Sequence, residues 1–125
     1  MNKEFVKYEQ AMALKELGFD EPCMAIYYSK DKSFSWHHHK DHTNDEPALD
    51  SGEFNISAPT YSQCFRWFRE KHNIDCYIDK NSVGIFYCNE KGYCYTIFEK
   101  HCHNATYEEA ESACLDKLIE ITKNK

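Results

Sequence analysis

The chain has 125 residues, 42% of them hydrophobic and 15% aromatic. That is enough to close a core without metal or disulfide support, and too apolar for a disordered segment. The net charge of −6 is unevenly placed, because Lys40 to Glu53 sets one lysine against five acids and leaves the rest close to neutral. Sequence-blind binding to duplex nucleic acid needs several phosphate-neutralising cations on one face, and this balance argues against it. Seven scattered cysteines, with no apolar run that could serve as a secretory leader or a membrane span, read as reduced thiols in a cytosol, several of them small core residues.

In chain order, a first helix is expected from near Lys7 to Leu17, closed by Gly18. Cys23 to Ser29 reads as a strand, Lys30-Asp31-Lys32 as a turn, and Ser33 to His38 as a second strand. From about 39 to 53 the chain is polar, acidic and turn-rich, and reads as an exposed, mobile loop. Thr60 with Gln63 fits a capping box at the head of a second helix, and Asn73 is a fitting left-handed residue at its end. Tyr61, Cys64, Phe65, Phe68 and His72 recur at helical spacing and form one stripe that should face the core. Three short apolar runs follow, Asp75–Asp79, Val83–Cys88 and Tyr93–Phe98, spaced as a β-meander. Thr106 with Glu109 caps a last helix whose stripe is Tyr107, Ala110, Cys114, Leu118 and Ile121. The expected fold is a single α+β domain of order α-β-β-α-β-β-β-α. Its three helices would pack on one face of a mostly antiparallel sheet of about five strands, leaving the other face partly open.

Outside the stripe of the second helix stand Arg66 and Trp67, with Arg69 on its edge. An indole beside two guanidiniums can stack on a planar or anionic ligand, so these three are the expected ligand-binding residues. His37-His38-His39-Lys40-Asp41-His42, with His101-Cys102-His103 further on, carries good ligands for zinc, nickel or copper. No close Cys-x-x-Cys pair accompanies them, so His37, His39, His101, Cys102 and His103 are set aside as metal ligands and no cofactor is assigned. Cys102, between two histidines, is the local nucleophile to inspect, and Asp79 with Glu99 the carboxylates to inspect. No glycine-rich phosphate loop exists.

Three segments carry a resemblance. They run from Tyr8-Glu9-Gln10-Ala11 to Cys23, from Ala58-Pro59-Thr60-Tyr61 to Lys71, and from Tyr107-Glu108-Glu109-Ala110 to Ile121. Together they resemble a family of small uncharacterised proteins from bacteriophages and prophages of Bacteroidetes-type bacteria. The resemblance covers about half the chain and leaves out Lys30–Asn55. It implies a bacterial cytosol during infection or lysogeny, and no reaction. The leading expectation is a non-enzymatic accessory protein that binds a host protein, as a host-defence antagonist would, or a small anionic ligand such as a nucleotide. The alternatives are a metal- or cysteine-dependent enzyme built on the histidine run and Cys102, and a homo-oligomeric structural accessory.

Overall fold

The computed structural model describes residues 3–36, 41–48, 50–79, 82–88, 94–101 and 106–124. The chain divides into two compact units, Met1–Thr60 and Tyr61–Lys125. The described residues form three helices and two antiparallel three-stranded sheets, an α+β architecture. The expected sheet of about five strands is corrected on both counts. The third strand, Asn-Ile-Ser, is too short and polar to show alternation in the sequence. The meander, for its part, already pairs within itself.

In the first unit, α1 (Tyr8–Glu16) begins where the Gln10 side chain accepts the Lys7 N–H at 2.9 Å. Gly18 follows with a φ of 94°, the left-handed turn that glycine makes freely. β1 (Ala25–Tyr28) lies between β2 (Phe34–Trp36) and β3 (Asn55–Ser57). The β1–β2 turn is held by Asp31, whose carboxylate accepts both the N–H and the hydroxyl of Ser33. Val6, Ala11, Leu14, Phe19, Ile26 and Ile56 are buried in this unit, and the Tyr27 hydroxyl donates to the Val6 carbonyl at 2.6 Å.

The second unit consists of α2 (Tyr61–His72), β4 (Ile74–Asp79), β5 (Ser82–Cys88), β6 (Cys94–His101) and α3 (Tyr107–Lys123). Asn73 takes a φ of 57° between α2 and β4, as its position predicts. At α3 the capping box forms in both directions: the Glu109 N–H donates to the Thr106 hydroxyl at 3.1 Å, and the Thr106 N–H to the Glu109 carboxylate at 3.3 Å. β5 is central, and both helices pack on one face of the sheet. That face carries Ile74, Cys76 and Ile78 on β4 and Val83 and Ile85 on β5, and Ile74, Val83 and Ile85 are fully covered. Leu115, Leu118 and Cys114 of α3 are also fully buried, and Ser112 of α3 hydrogen-bonds the Tyr61 hydroxyl of α2.

Two expectations fail here for physical reasons. The buried face of α2 is Tyr61, Cys64, Trp67 and Phe68, while Phe65 is only half-buried. Cys64, the smallest of these side chains, lies at the middle of the stripe. The indole stands edge-on to Phe68 and His72, with ring centres 5.0 and 4.9 Å away. Cys88 and Cys94 are not reduced thiols but form a disulfide across β5 and β6. Cys23, Cys64 and Cys114 are buried and form no disulfide, as small core residues should.

Trp67→Ala should therefore cost about 3–5 kcal/mol, and Phe65→Ala about 1–2 kcal/mol because part of its ring is already in water. Urea unfolding of the two variants checks the order, and equal losses would mean that the helix is rotated toward Phe65.

Candidate functional site

Strand alternation turns Asp75, Tyr77 and Asp79 of β4, Ser82, Gly84 and Phe86 of β5, and Thr96, Glu99 and His101 of β6 to the face opposite the helices. Tyr77 is the centre of this face. Its partner across the ladder is Gly84, and its ring lies flat over that glycine, so that a Cβ there would run into the ring. The Tyr77 hydroxyl then reaches the Glu99 carboxylate on β6 at 3.4 Å. One side chain thus spans three strands while staying 46% exposed. The carboxylates of Asp79 and Glu99 act on it, while Asp75, two residues along β4, is taken up by Arg69 of α2 and the Cys76 N–H.

Asp79 and Glu99 share this face but do not form a catalytic pair. Asp79 pairs with Ser82, which pairs with His101, whereas Glu99 pairs with Gly84. Two strands and one ladder step separate them, on the order of 10 Å, too far to share a proton.

On α2, Arg66 and Arg69 are exposed, and Arg69 pairs with Asp75 at 3.7 Å. Trp67, which was to supply the stacking surface between them, is buried at 2% exposure against Phe68 and His72. The sequence reading missed this because the helix turns its wide shoulder, and not its edge, toward the sheet.

Of the histidine run and its partners, His37, His38, His39, Cys102 and His103 lie outside the described residues. His101 lies on the far face of β6, opposite Ser82. Among the described residues no group of three or more metal-ligating side chains converges.

The last histidine of the run, His42, is bound tightly. His42 is 3% exposed and joins Cys23 through paired backbone hydrogen bonds of 2.8 Å each. Its Nδ1 lies 2.7 Å from the Ser57 hydroxyl and its Nε2 3.4 Å from Glu46. Ser, His and Glu in a row suggest a nucleophile, but Ser57 is fully buried and its hydroxyl donates to the His42 carbonyl at 3.2 Å. Asn44 beside it accepts the Ser57 N–H and donates to the Phe19 carbonyl. The cluster ties the first part of the acidic segment to β3. That segment was expected to be an exposed loop, and among its described residues His42 is the buried exception.

A second arrangement is chemically distinct. Cys76 of β4, half-buried, faces α3, where the buried Cys114 thiol hydrogen-bonds to it. That bond, helped by the Arg69 guanidinium, holds the Cys76 thiol below its ordinary value against the opposing pull of burial and Asp75. The same bond, then burial, push Cys114 up. Nothing in the spacing of residues 76 and 114 announces the pair.

A cleft of about 230 Å³ opens between β5, β6 and α3, floored by Val83, Phe98 and Ala113. Its Lys117 is already engaged, with the ammonium 4.8 Å from the Phe98 ring centre and 3.2 Å from Glu120. The volume is also below that of an ordinary small-molecule site.

No protein-family model, curated protein or solved structure matches the chain. Among the described residues, no helix is long and apolar enough to cross a membrane.

Two stability measurements check this geometry. Gly84→Ala should cost about 1–3 kcal/mol by displacing the Tyr77 ring, and clearly less in a Tyr77→Ala background. Additive losses in that cycle would mean the ring does not lie over Gly84. Ser57→Ala should cost about 1–3 kcal/mol by leaving the buried His42 Nδ1 unsatisfied. An unchanged urea midpoint would mean His42 is held by other groups.

Proposed function

We propose that the chain is a non-enzymatic binding protein that takes a short basic segment of a partner protein on the far face of β4–β5–β6. The observation that carries this reading is Tyr77, fixed over Gly84, half in water and flanked by the acids Asp79 and Glu99. An aromatic centre within a charged rim is the composition from which binding surfaces draw most of their affinity. The acids select a cationic partner and repel an anionic one. The face is three strands wide and about six residues long, on the order of 15 by 20 Å. That is nearer to a peptide footprint than to a standard protein–protein interface.

This reading favours a protein partner over a nucleotide. Arg66 and Arg69 remain exposed cations, but the indole between them is buried and Arg69 is paired with Asp75. The resemblance of the helix segments to phage and prophage proteins supplies the setting, in which the partner is a host protein and the chain acts against it in the bacterial cytosol.

A photo-crosslinking residue placed at position 77 of the full chain, expressed in bacterial host cells, tests the reading. A discrete protein adduct is expected, lost when Asp79 and Glu99 are changed to lysine while the melting temperature holds. No adduct at position 77, together with a nucleotide-induced thermal shift abolished by Arg66→Ala and Arg69→Ala, would replace this reading with the anionic-ligand one.

A further inference from the structure

The Cys76–Cys114 pair lies on the helix-covered side of the sheet and takes no part in the far face, so it needs an account of its own. Two cysteines face each other across the packing of α3 on β4, Cys76 half-buried and Cys114 fully buried. The groups around them come from every element packed there: Arg69 from α2, Asp75 from β4, and Tyr107 and Glu111 from α3. Tyr107, 50% exposed, feels both sulfurs.

We propose that Cys76 and Cys114 are a redox-active dithiol, with Cys76 the attacking sulfur and Cys114 the resolving one, and with a low-molecular-weight disulfide such as oxidised glutathione as the oxidant. Three features assign the roles. Cys76 is the less buried residue of the two, it accepts the hydrogen bond that stabilises a thiolate, and it has the guanidinium nearby. Cys114 has none of these and is kept protonated until its neighbour has reacted.

The exchange runs in two steps. The Cys76 thiolate attacks one sulfur of the small disulfide, forming a mixed disulfide and expelling one thiolate, which takes up a proton from water. Cys114 then loses its proton to solvent and attacks the Cys76 sulfur, and the second small thiol leaves. The chain has given up two electrons, the small disulfide has become two thiols, and a new bond joins β4 to α3. Register places Cys76 on the face that α3 covers and Cys114 is buried on α3, so the two thiols interact across this packing interface.

The experiment uses the full chain with its Cys88–Cys94 bond in place. It is incubated with oxidised glutathione, quenched by alkylation and mapped by peptide mass spectrometry. Wild type should yield a linked pair of peptides carrying residues 76 and 114. Cys114→Ser should instead accumulate glutathione on Cys76, and Cys76→Ser should yield neither product. Iodoacetamide should label Cys76 about tenfold or more faster than Cys114, and Arg69→Gln should slow that labelling. Circular dichroism establishes that each variant is folded. Wild type showing no 76–114 link, or glutathione appearing on Cys114 in folded Cys76→Ser as fast as on Cys76 in Cys114→Ser, would overturn the proposal and leave the pair as core packing.

Discussion

The second unit depends on the contact of α2 and α3 with one face of β4 and β5. Trp67 and Phe68 from α2, and Cys114, Leu115 and Leu118 from α3, are buried together with Ile74, Val83 and Ile85 of the sheet. Burying side chains of this size stabilises by roughly 1.5–3 kcal/mol each, more than any surface ion pair of the chain can contribute. Because strand side chains alternate, fixing which residues point inward also fixes which point outward. Tyr77 and its acids are on the far face because Cys76 and Ile78 are on the near one.

Both functional readings follow from that constraint. The far face owes its shape to a missing Cβ: Gly84 lets the Tyr77 ring lie flat and reach Glu99, which makes a rigid aromatic surface out of a flexible side chain. A pre-ordered side chain loses little entropy on binding, which suits a small footprint. The near face brings Cys76 against α3 at the level of Cys114, so the thiols meet as a consequence of packing. The Cys88–Cys94 bond at the end of β5 is a separate feature, since Cys76 pairs with Ile85 and Cys88, three residues further along β5, faces the opposite side.

Much of the fold was legible in the sequence, because elements are set by local rules. Thr106 with Glu109, Gly18 and Asn73 mark helix ends through capping and backbone preference alone, and each falls where those preferences put it. β3 was invisible because Asn55-Ile56-Ser57 carries one apolar residue, and it is a strand only because β1 offers it a partner. The orientation of α2 was misjudged because Phe65 and Trp67 are both aromatic. Periodicity alone cannot decide which flank of the stripe the neighbouring sheet will accept. The site was less legible still. Tyr77 over Gly84, His42 against Ser57 and Cys76 against Cys114 are contacts between segments 7, 15 and 38 residues apart, and no local pattern encodes such proximity.

Hydroxyl-radical footprinting of the full chain, read by mass spectrometry, tests the two-sided sheet most directly. Tyr77 should oxidise readily and Trp67 hardly at all, although indole is the more reactive ring. Rapid oxidation of Trp67 with protection of Tyr77 would mean that the helices cover the other face, and neither the aromatic surface nor the thiol pair would survive that result.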